Sequence, residues 1–327
     1  MGQTLARVGE PRFRSIAKDW RSFAVAVIQA TICRRPAVNL NHLFNNITLN
    51  SGDFLEMLGT GTNRGILQWE SGNGPAAETD FSEAIRLLEA VGSERPRTVQ
   101  ELDRALNNLA GAMEARADAG AEAFYVRAID GHESLVARVP ENREYQLELA
   151  KFSNNLAVFL EQQGRRADAE MRNRRATALL TNLARPAPSL GIELADTHNL
   201  RGAIVQAERR AEAERSFEES LDLFTDLSSV PALLRMPAFH QRFGDLLVNL
   251  SLLAQSGASN ADARVTNRAI DAYLGVATRI ADSGDAAQAR AALETINRVL
   301  PEVPQRDRQR VAAMQVRLGR VAASGPR

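Results

Sequence analysis

The feature that most constrains the fold is a segment that recurs along the chain. Its clearest copy runs Asn154-Asn-Leu-Ala-Val-Phe-Leu-Glu-Gln-Gln-Gly164 and continues to Ala169. The other copies share an asparagine, which leucine follows in all but the first, and a small residue further on. The asparagines are Asn63, Asn108, Asn155, Asn199 and Asn249. The small residues Ala77, Ala123, Ala169 and Ala213 are separated by 46, 46 and 44 residues. Such spacing predicts a repeat architecture.

Each copy has the pattern of two packed helices. The apolar residues before Gly164 recur every three or four positions, which places them on one face of a helix: Tyr145, Leu149, Phe152, Leu156 and Leu160. Gly164 ends this helix because glycine adopts positive φ without steric cost. A second stripe follows at Ala169, Ala176, Leu180 and Leu183. Because one hairpin cannot bury both of its faces, we expect successive hairpins to stack into a superhelix.

The sequence predicts three regions. Residues 1–52 form a basic, non-repeat helical segment, residues 53–303 an array of about six degenerate repeats, and residues 304–327 a capping helix and tail. The sixth copy is aligned through the Gly284 turn, which puts Gly275 at the asparagine position, so the asparagine series should stop before it. The glycines between Gly59 and Gly65 predict a turn.

The order of a small residue, a glycine turn, a second small residue, an aromatic residue and alanine resembles the tetratricopeptide repeat (TPR) family. The resemblance covers roughly residues 55–301. It implies an all-α fold, an α-solenoid with a right-handed superhelix. The long period and the stretch from Pro140 to Leu156 also resemble TPR arrays appended to bacterial serine/threonine kinases and signalling proteins. The chain carries no kinase motifs, which suggests a stand-alone relative or a detached sensory half.

Charge and composition point to a protein or peptide partner. Lys+Arg and Asp+Glu both number 40, so the chain lacks the basic excess typical of nucleic-acid binders. The single cysteine, Cys33, excludes an intramolecular disulfide. The apolar run at residues 23–33 is too short for a stable membrane span. It is a weak candidate for a signal or anchor, and we expect a buried helix and a cytoplasmic protein.

No catalytic or cofactor motif is complete. The four histidines are scattered, and none forms a pair with metal-ligand spacing. Ser15-Ile-Ala-Lys18 matches the Ser-x-x-Lys nucleophile of penicillin-recognising enzymes, but its companion motifs are absent. We therefore predict a protein that is not an enzyme and needs no cofactor; an enzyme using Ser15 and Lys18 is the alternative.

The repeated asparagine predicts a binding groove. On a helix it lies about 100° from the leucine that follows, so it can face the inside of the superhelix when leucine faces the partner helix. An amide carries both a donor and an acceptor, so a series of amides can hold the backbone of an extended peptide. In TPR proteins, which the chain resembles, asparagine at this position lines the concave groove and holds ligand backbone. Alternatively, the asparagines bond to neighbouring loops and fix the spacing of the repeats.

Specificity is expected from side chains one helical turn away, among them Lys151, Glu161 and Gln162. The sequence thus predicts a non-enzymatic interaction scaffold that binds a peptide or protein segment in the concave groove. A structural or oligomerisation module, with its faces covered by self-association, is the alternative from a different class.

Overall fold

The computed structural model describes residues 51–92, 95–185, 187–256 and 260–324. The chain divides into two compact units, residues 1–57 and 58–327, and the description below concerns the second. Most of the predicted N-terminal segment lies outside the described residues. The apolar run at 23–33, Ser15 and Lys18 lie there too, so the expectations about them stay predictions.

The described residues form α-helices without any strand, which confirms the predicted all-α fold. Two 3₁₀ helices, Pro188–Leu190 and Leu233–Arg235, join neighbouring α-helices. The α-helices, in chain order, are α1 Ser51–Glu70, α2 Gly74–Val91, α3 Pro96–Glu114, α4 Ala121–Arg138, α5 Arg143–Gln162, α6 Arg166–Ala184, α7 Gly191–Val205, α8 Arg210–Leu227, α9 Pro237–Gln255, α10 Asn260–Ser283, α11 Ala286–Val299 and α12 Gln305–Ala323.

Consecutive helices pack as hairpins, and the hairpins stack. Helix α3 packs on α4, α5 on α6, α7 on α8, α9 on α10 and α11 on α12. The first helices of successive hairpins also touch, from α3 through α5, α7 and α9 to α11. This pattern is an α-solenoid in which the first helices share one continuous surface. Among the described helices, none combines the length and apolar character needed to cross a bilayer.

Small residues allow the two helices of each hairpin to approach closely. In the third hairpin Ala157 and Ala169 are fully buried, as predicted. In the second hairpin the predicted small position is wrong, because Ala121 is fully buried and Ala123 is exposed. The buried alanine faces the partner helix, so the repeat period is less even than the sequence alignment indicated.

Two further alignments are corrected. Gly59 to Gly65 lies inside helix α1 and does not form a turn. The ring of Phe81 lies so close to Gly65 that a Cβ there would overlap it, so this glycine serves helix packing. The glycine turns after α1, α5 and α10 have φ values of 80°, 72° and 70°, at Gly72, Gly164 and Gly284.

The sixth repeat is also displaced from its predicted position. Helix α10 packs on α9 as the second helix of the fifth hairpin, so Gly275 does not occupy a first-helix position. After Gly284, helix α11 packs on α9 and α12 packs on α11. The predicted capping helix is therefore the second helix of the sixth hairpin. The boundaries predicted at residues 52 and 303 stay predictions.

Candidate functional site: a groove along the first helices

A groove of about 610 Å³ runs across helices α3, α5, α7 and α9, and we call it the first-helix groove. It is lined by first helices alone, each from a different hairpin. Five of the predicted site residues line it: Asn108, Lys151, Asn155, Asn199 and Asn249. The stacking of the hairpins thus brings together residues that are far apart in the sequence.

Amide hydrogen bonds join neighbouring first helices beneath the groove. Asn155 Nδ2 donates to Asn107 Oδ1 at 3.0 Å, which links α5 to α3. Asn249 Nδ2 donates to Asn199 Oδ1 at 3.0 Å, which links α9 to α7. Asn154 donates to the hydroxyl of Thr197 and links α5 to α7. These bonds fix the spacing of the hairpins, so part of the asparagine series has a structural role.

The same amides keep hydrogen-bonding capacity for a ligand. Among the described residues, the half-buried Asn108 has no hydrogen-bond partner. Asn199 is 4% exposed, and its Nδ2 has no partner within the described chain. The Oδ1 atoms of Asn155 and Asn249 are likewise not used by the bonds their nitrogens donate. Since nearly buried polar groups are usually satisfied, a polar ligand backbone is a suitable partner.

Helix α7 is rotated by one residue relative to the sequence alignment. Leu200, which was expected to face the partner helix, is half-buried and lines the groove, whereas Asn199 is buried. The cause is Arg201, which is too large for the small position and pairs instead with Glu212 of α8. Gly202 takes the small position, where a Cβ would lie 2.5 Å from the ring of Phe217. The groove position of α7 is therefore Leu200.

A row of ion pairs runs beside the amides, four residues before each groove position. Every pair in this ion-pair row joins two successive first helices. Lys151 bonds to Glu193 at 3.0 Å, and Arg242 bonds to Asp196 at 3.1 Å. The ends of the row are the pairs Arg104–Glu144, Arg104–Glu148 and Asp245–Arg298.

At one end the row continues into a buried cluster around His132 of α4. The imidazole is 0% exposed, with Nδ1 2.9 Å from Asp103 Oδ2 and Nε2 2.9 Å from Glu148 Oε2. Gln100 and Arg104 of α3 also donate to Glu148. Because Glu148 lines the groove, the cluster connects the groove surface to the interior of three helices.

The pKa values of the cluster favour a charged imidazole. Burial alone lowers the pKa of His132, but hydrogen bonds with Asp103 and Glu148 outweigh it and raise the pKa above its ordinary value. Burial raises the pKa of Asp103 to about 6, against the opposing effect of His132. Burial also raises the pKa of Glu148, yet hydrogen bonds from His132 and Gln100 hold it below its usual range. At low and neutral pH the imidazolium donates from both nitrogens.

Three predicted site residues do not join the groove. Asn63 is exposed on α1, and it is not among the residues that line the groove. Glu161 and Gln162 form the last turn of α5 beside the Gly164 turn, also away from the lining. Sequence reasoning missed the ion-pair row, although a charged residue precedes each groove position by four: Arg104, Lys151, Asp196 and Asp245.

Comparisons with solved structures place the chain among helical-repeat proteins. BtubC (BKLC) from P. vanneervenii shares 18% identity over 76% of this chain and 93% of its own, with a TM-score of 0.45. A thermophilic TPR protein from Thermus thermophilus, TTC0263, shares 20% identity over 66% and 99%, with a TM-score of 0.31. The Rap conjugation gene regulator of the plasmid pLS20, in complex with the Phr* peptide, shares 13% identity over 92% and 83%, with a TM-score of 0.44.

The chain is a TPR-like helical-repeat protein. No family model matches it, and no curated protein matches it either. Since no TM-score among the three structures reaches 0.5, the assignment depends on the hairpins, glycine turns and small residues of the chain itself. The handedness of the superhelix and the likeness to kinase-appended arrays stay predictions.

Proposed function

We propose that this TPR-like protein is a non-enzymatic interaction scaffold that holds an extended peptide or protein segment in the first-helix groove. The observation that carries the proposal is the unused hydrogen-bonding capacity of the amides of Asn108, Asn155, Asn199 and Asn249 in one continuous groove. An extended peptide offers a donor and an acceptor at each residue, so it matches a surface of amide nitrogens and oxygens. Such recognition is largely independent of the ligand's side chains.

Asn108 allows the amides to be tested without disturbing the fold. It makes no hydrogen bond within the described chain, whereas replacing Asn155 or Asn249 by alanine would break a bond between helices. Asn63→Ala is the matched control, because this exposed asparagine lies outside the groove lining. A random dodecapeptide display library would be selected on the wild-type protein, and the enriched peptides measured by fluorescence anisotropy.

We expect Asn108→Ala to weaken peptide binding about fivefold, which corresponds to one hydrogen bond of roughly 1 kcal/mol. Asn63→Ala should bind like the wild type, and urea titrations should show equal stability for all three proteins. Equal binding by wild type and Asn108→Ala would contradict the proposed site. A library without any enriched peptide would contradict peptide binding itself.

The alternative of an oligomerisation module gains no specific support from the described surface. Large exposed apolar side chains occur singly on separate helices, at Met171, Leu252 and Val316, and as a pair on α1, at Leu67 and Trp69. Scattered apolar residues are normal on monomeric proteins. Light scattering after gel filtration would reveal self-association as a mass above that of a single chain.

A further inference from the structure

The first-helix groove extends beyond the amides along the surface of the solenoid. A cavity of about 240 Å³ adjoins it and shares Asp245 and Asn249 with it. A third cavity, of about 220 Å³ between α9 and α11, shares Arg298 with the second. The three cavities therefore form one surface across α3, α5, α7, α9 and the region of α11.

This surface is acidic, although the whole chain has no net charge. The cations that line it are Lys151, Arg242 and Arg298. The carboxylates that line it are Glu144, Glu148, Glu193, Asp196, Asp245, Glu294 and Glu302. Seven carboxylates thus face three cations, and Arg104, which pairs with two of them from the edge, makes four. The excess is three negative charges.

The excess is concentrated where α7, α9 and α11 meet. Among the described residues, Glu294 and Glu302 form no ion pair, although both line the surface. Asp196 is paired with Arg242, but burial raises its pKa to about 6, and the charges of Asp245 and Glu193 act in the same direction. A cation supplied by a ligand would lower the electrostatic cost of this arrangement.

A second observation points to a ligand independently of the charge. Asn199 is more than nine-tenths buried, and its Nδ2 faces the groove without a partner among the described residues. An acceptor such as a peptide carbonyl would satisfy it. Packed helices lie about 8–10 Å apart, and an extended chain rises about 3.3 Å per residue. One hairpin therefore corresponds to about three residues of an extended ligand.

We propose that the ligand is an extended basic peptide whose Lys or Arg side chains recur about every third residue and contact the carboxylates of α7, α9 and α11. This inference rests on the proposed function, since it assumes that the groove holds an extended peptide. The amides hold the backbone, and the excess carboxylates select the basic side chains. An acidic surface also disfavours nucleic acid as the occupant.

The dodecapeptide library tests the charge preference directly. Peptides enriched on the wild type should carry more Lys and Arg than the unselected library, and their binding should weaken as the salt concentration rises. In a synthetic copy of an enriched peptide, replacing the basic residues by Gln should weaken binding at least about tenfold, because several exposed charge pairs are lost.

Glu294→Gln/Glu302→Gln is the informative double variant, because neither side chain forms an ion pair that folding could need. We expect it to weaken binding of the basic peptide about fivefold. Asp130→Asn/Glu133→Gln removes the same charge from exposed positions on α4, a second helix, and should leave binding unchanged.

The outcomes separate this inference from the proposed function. Enriched peptides that depend on Asn108 but are neutral or acidic would overturn the basic-ligand inference and leave the peptide scaffold intact. Basic peptides that bind the Glu294→Gln/Glu302→Gln and Asp130→Asn/Glu133→Gln variants equally would also overturn it. Absence of any Asn108-dependent enrichment would overturn both.

Discussion

At the scale of single residues, His132 has the most consequential surroundings. Its imidazole is fully buried between Asp103 and Glu148, and each ring nitrogen lies 2.9 Å from a carboxylate oxygen. The raised pKa of His132 means that folding favours the protonated ring. This contribution to stability is fully present below the unfolded pKa, near 6.5, and is lost as the pH rises through the higher folded pKa.

We predict that His132→Gln lowers the free energy of unfolding by about 3 kcal/mol near pH 6, because it leaves buried carboxylates without their cation. The difference from wild type should shrink as the pH rises from 6.5 to 9. Urea titrations at a series of pH values measure it. His240→Gln is the control: burial lowers the pKa of His240, so its contribution should not change above pH 6.5. A pH-independent difference at His132 would contradict a charged ring.

Residue identities predicted the candidate site only in part. The amide series places Asn108, Asn155, Asn199 and Asn249 along one groove, but their division into paired and unpaired atoms depends on the register between helices. That register is not visible in one sequence. The one-residue rotation of α7 illustrates this, since the exchange of a small residue for Arg201 moved the small position to Gly202.

At the scale of helices, α5 and α11 begin with side-chain caps that differ in one respect. Asn142 Oδ1 accepts from the backbone nitrogens of Glu144 and Tyr145 at 3.0 and 3.2 Å. Asp285 Oδ1 accepts from those of Ala287 and Gln288, each at 3.0 Å. The bonds from Gln288 are the main cause that lowers the pKa of Asp285. The two caps are alike in geometry, but one of them titrates.

We predict that alanine at either cap costs about 1 kcal/mol of stability at pH 7. A depressed carboxyl pKa contributes stability that is present above the unfolded value, near 3.9, and is lost as the pH falls through the folded pKa. The cost of Asp285→Ala should therefore decline below pH 4, whereas that of Asn142→Ala should persist. Thermal unfolding between pH 3 and 7 measures both, and parallel curves would contradict the assignment.

Helices could be predicted where apolar periodicity was strong, and the prediction failed where a local signal competed with packing. The three or four residue spacing in α5 correctly indicated its buried face, with Leu149, Leu156 and Leu160 inside. The glycines between Gly59 and Gly65 resembled a turn, but they continue α1 because Gly65 makes room for the ring of Phe81. Local propensity gives way when a tertiary contact requires a residue without a side chain.

At the scale of the whole array, the sequence predicted the stacking of hairpins because each copy carries its own core positions. It did not predict the ion-pair row, since each pair joins residues about one repeat apart, as in Lys151–Glu193 and Asp196–Arg242. The partner of each charge is set by how neighbouring hairpins align. The first-helix groove is thus a product of stacking, and its amides and charges belong to the array rather than to any single hairpin.

Because hairpins contact mainly their neighbours, we expect stability to be distributed along the array instead of shared equally. Gly202→Ala tests this, since its Cβ would lie 2.5 Å from the ring of Phe217 and cost about 1–3 kcal/mol. Gly319→Ala on α12 meets nothing within 4 Å and should stabilise by about 0.5–1 kcal/mol. Hydrogen exchange followed by mass spectrometry measures the response of each helix.

In Gly202→Ala, protection should fall most in α7 and α8, less in the flanking hairpins, and least in α11 and α12, which lie furthest along the array on that side. The physical reason is that a strained interface raises the population of local opening, and the effect passes only through nearest-neighbour contacts. In Gly319→Ala, changes should be confined to the last two hairpins. Equal loss of protection in every helix would instead show that the array unfolds as one cooperative unit, in which the groove could open only with the whole fold.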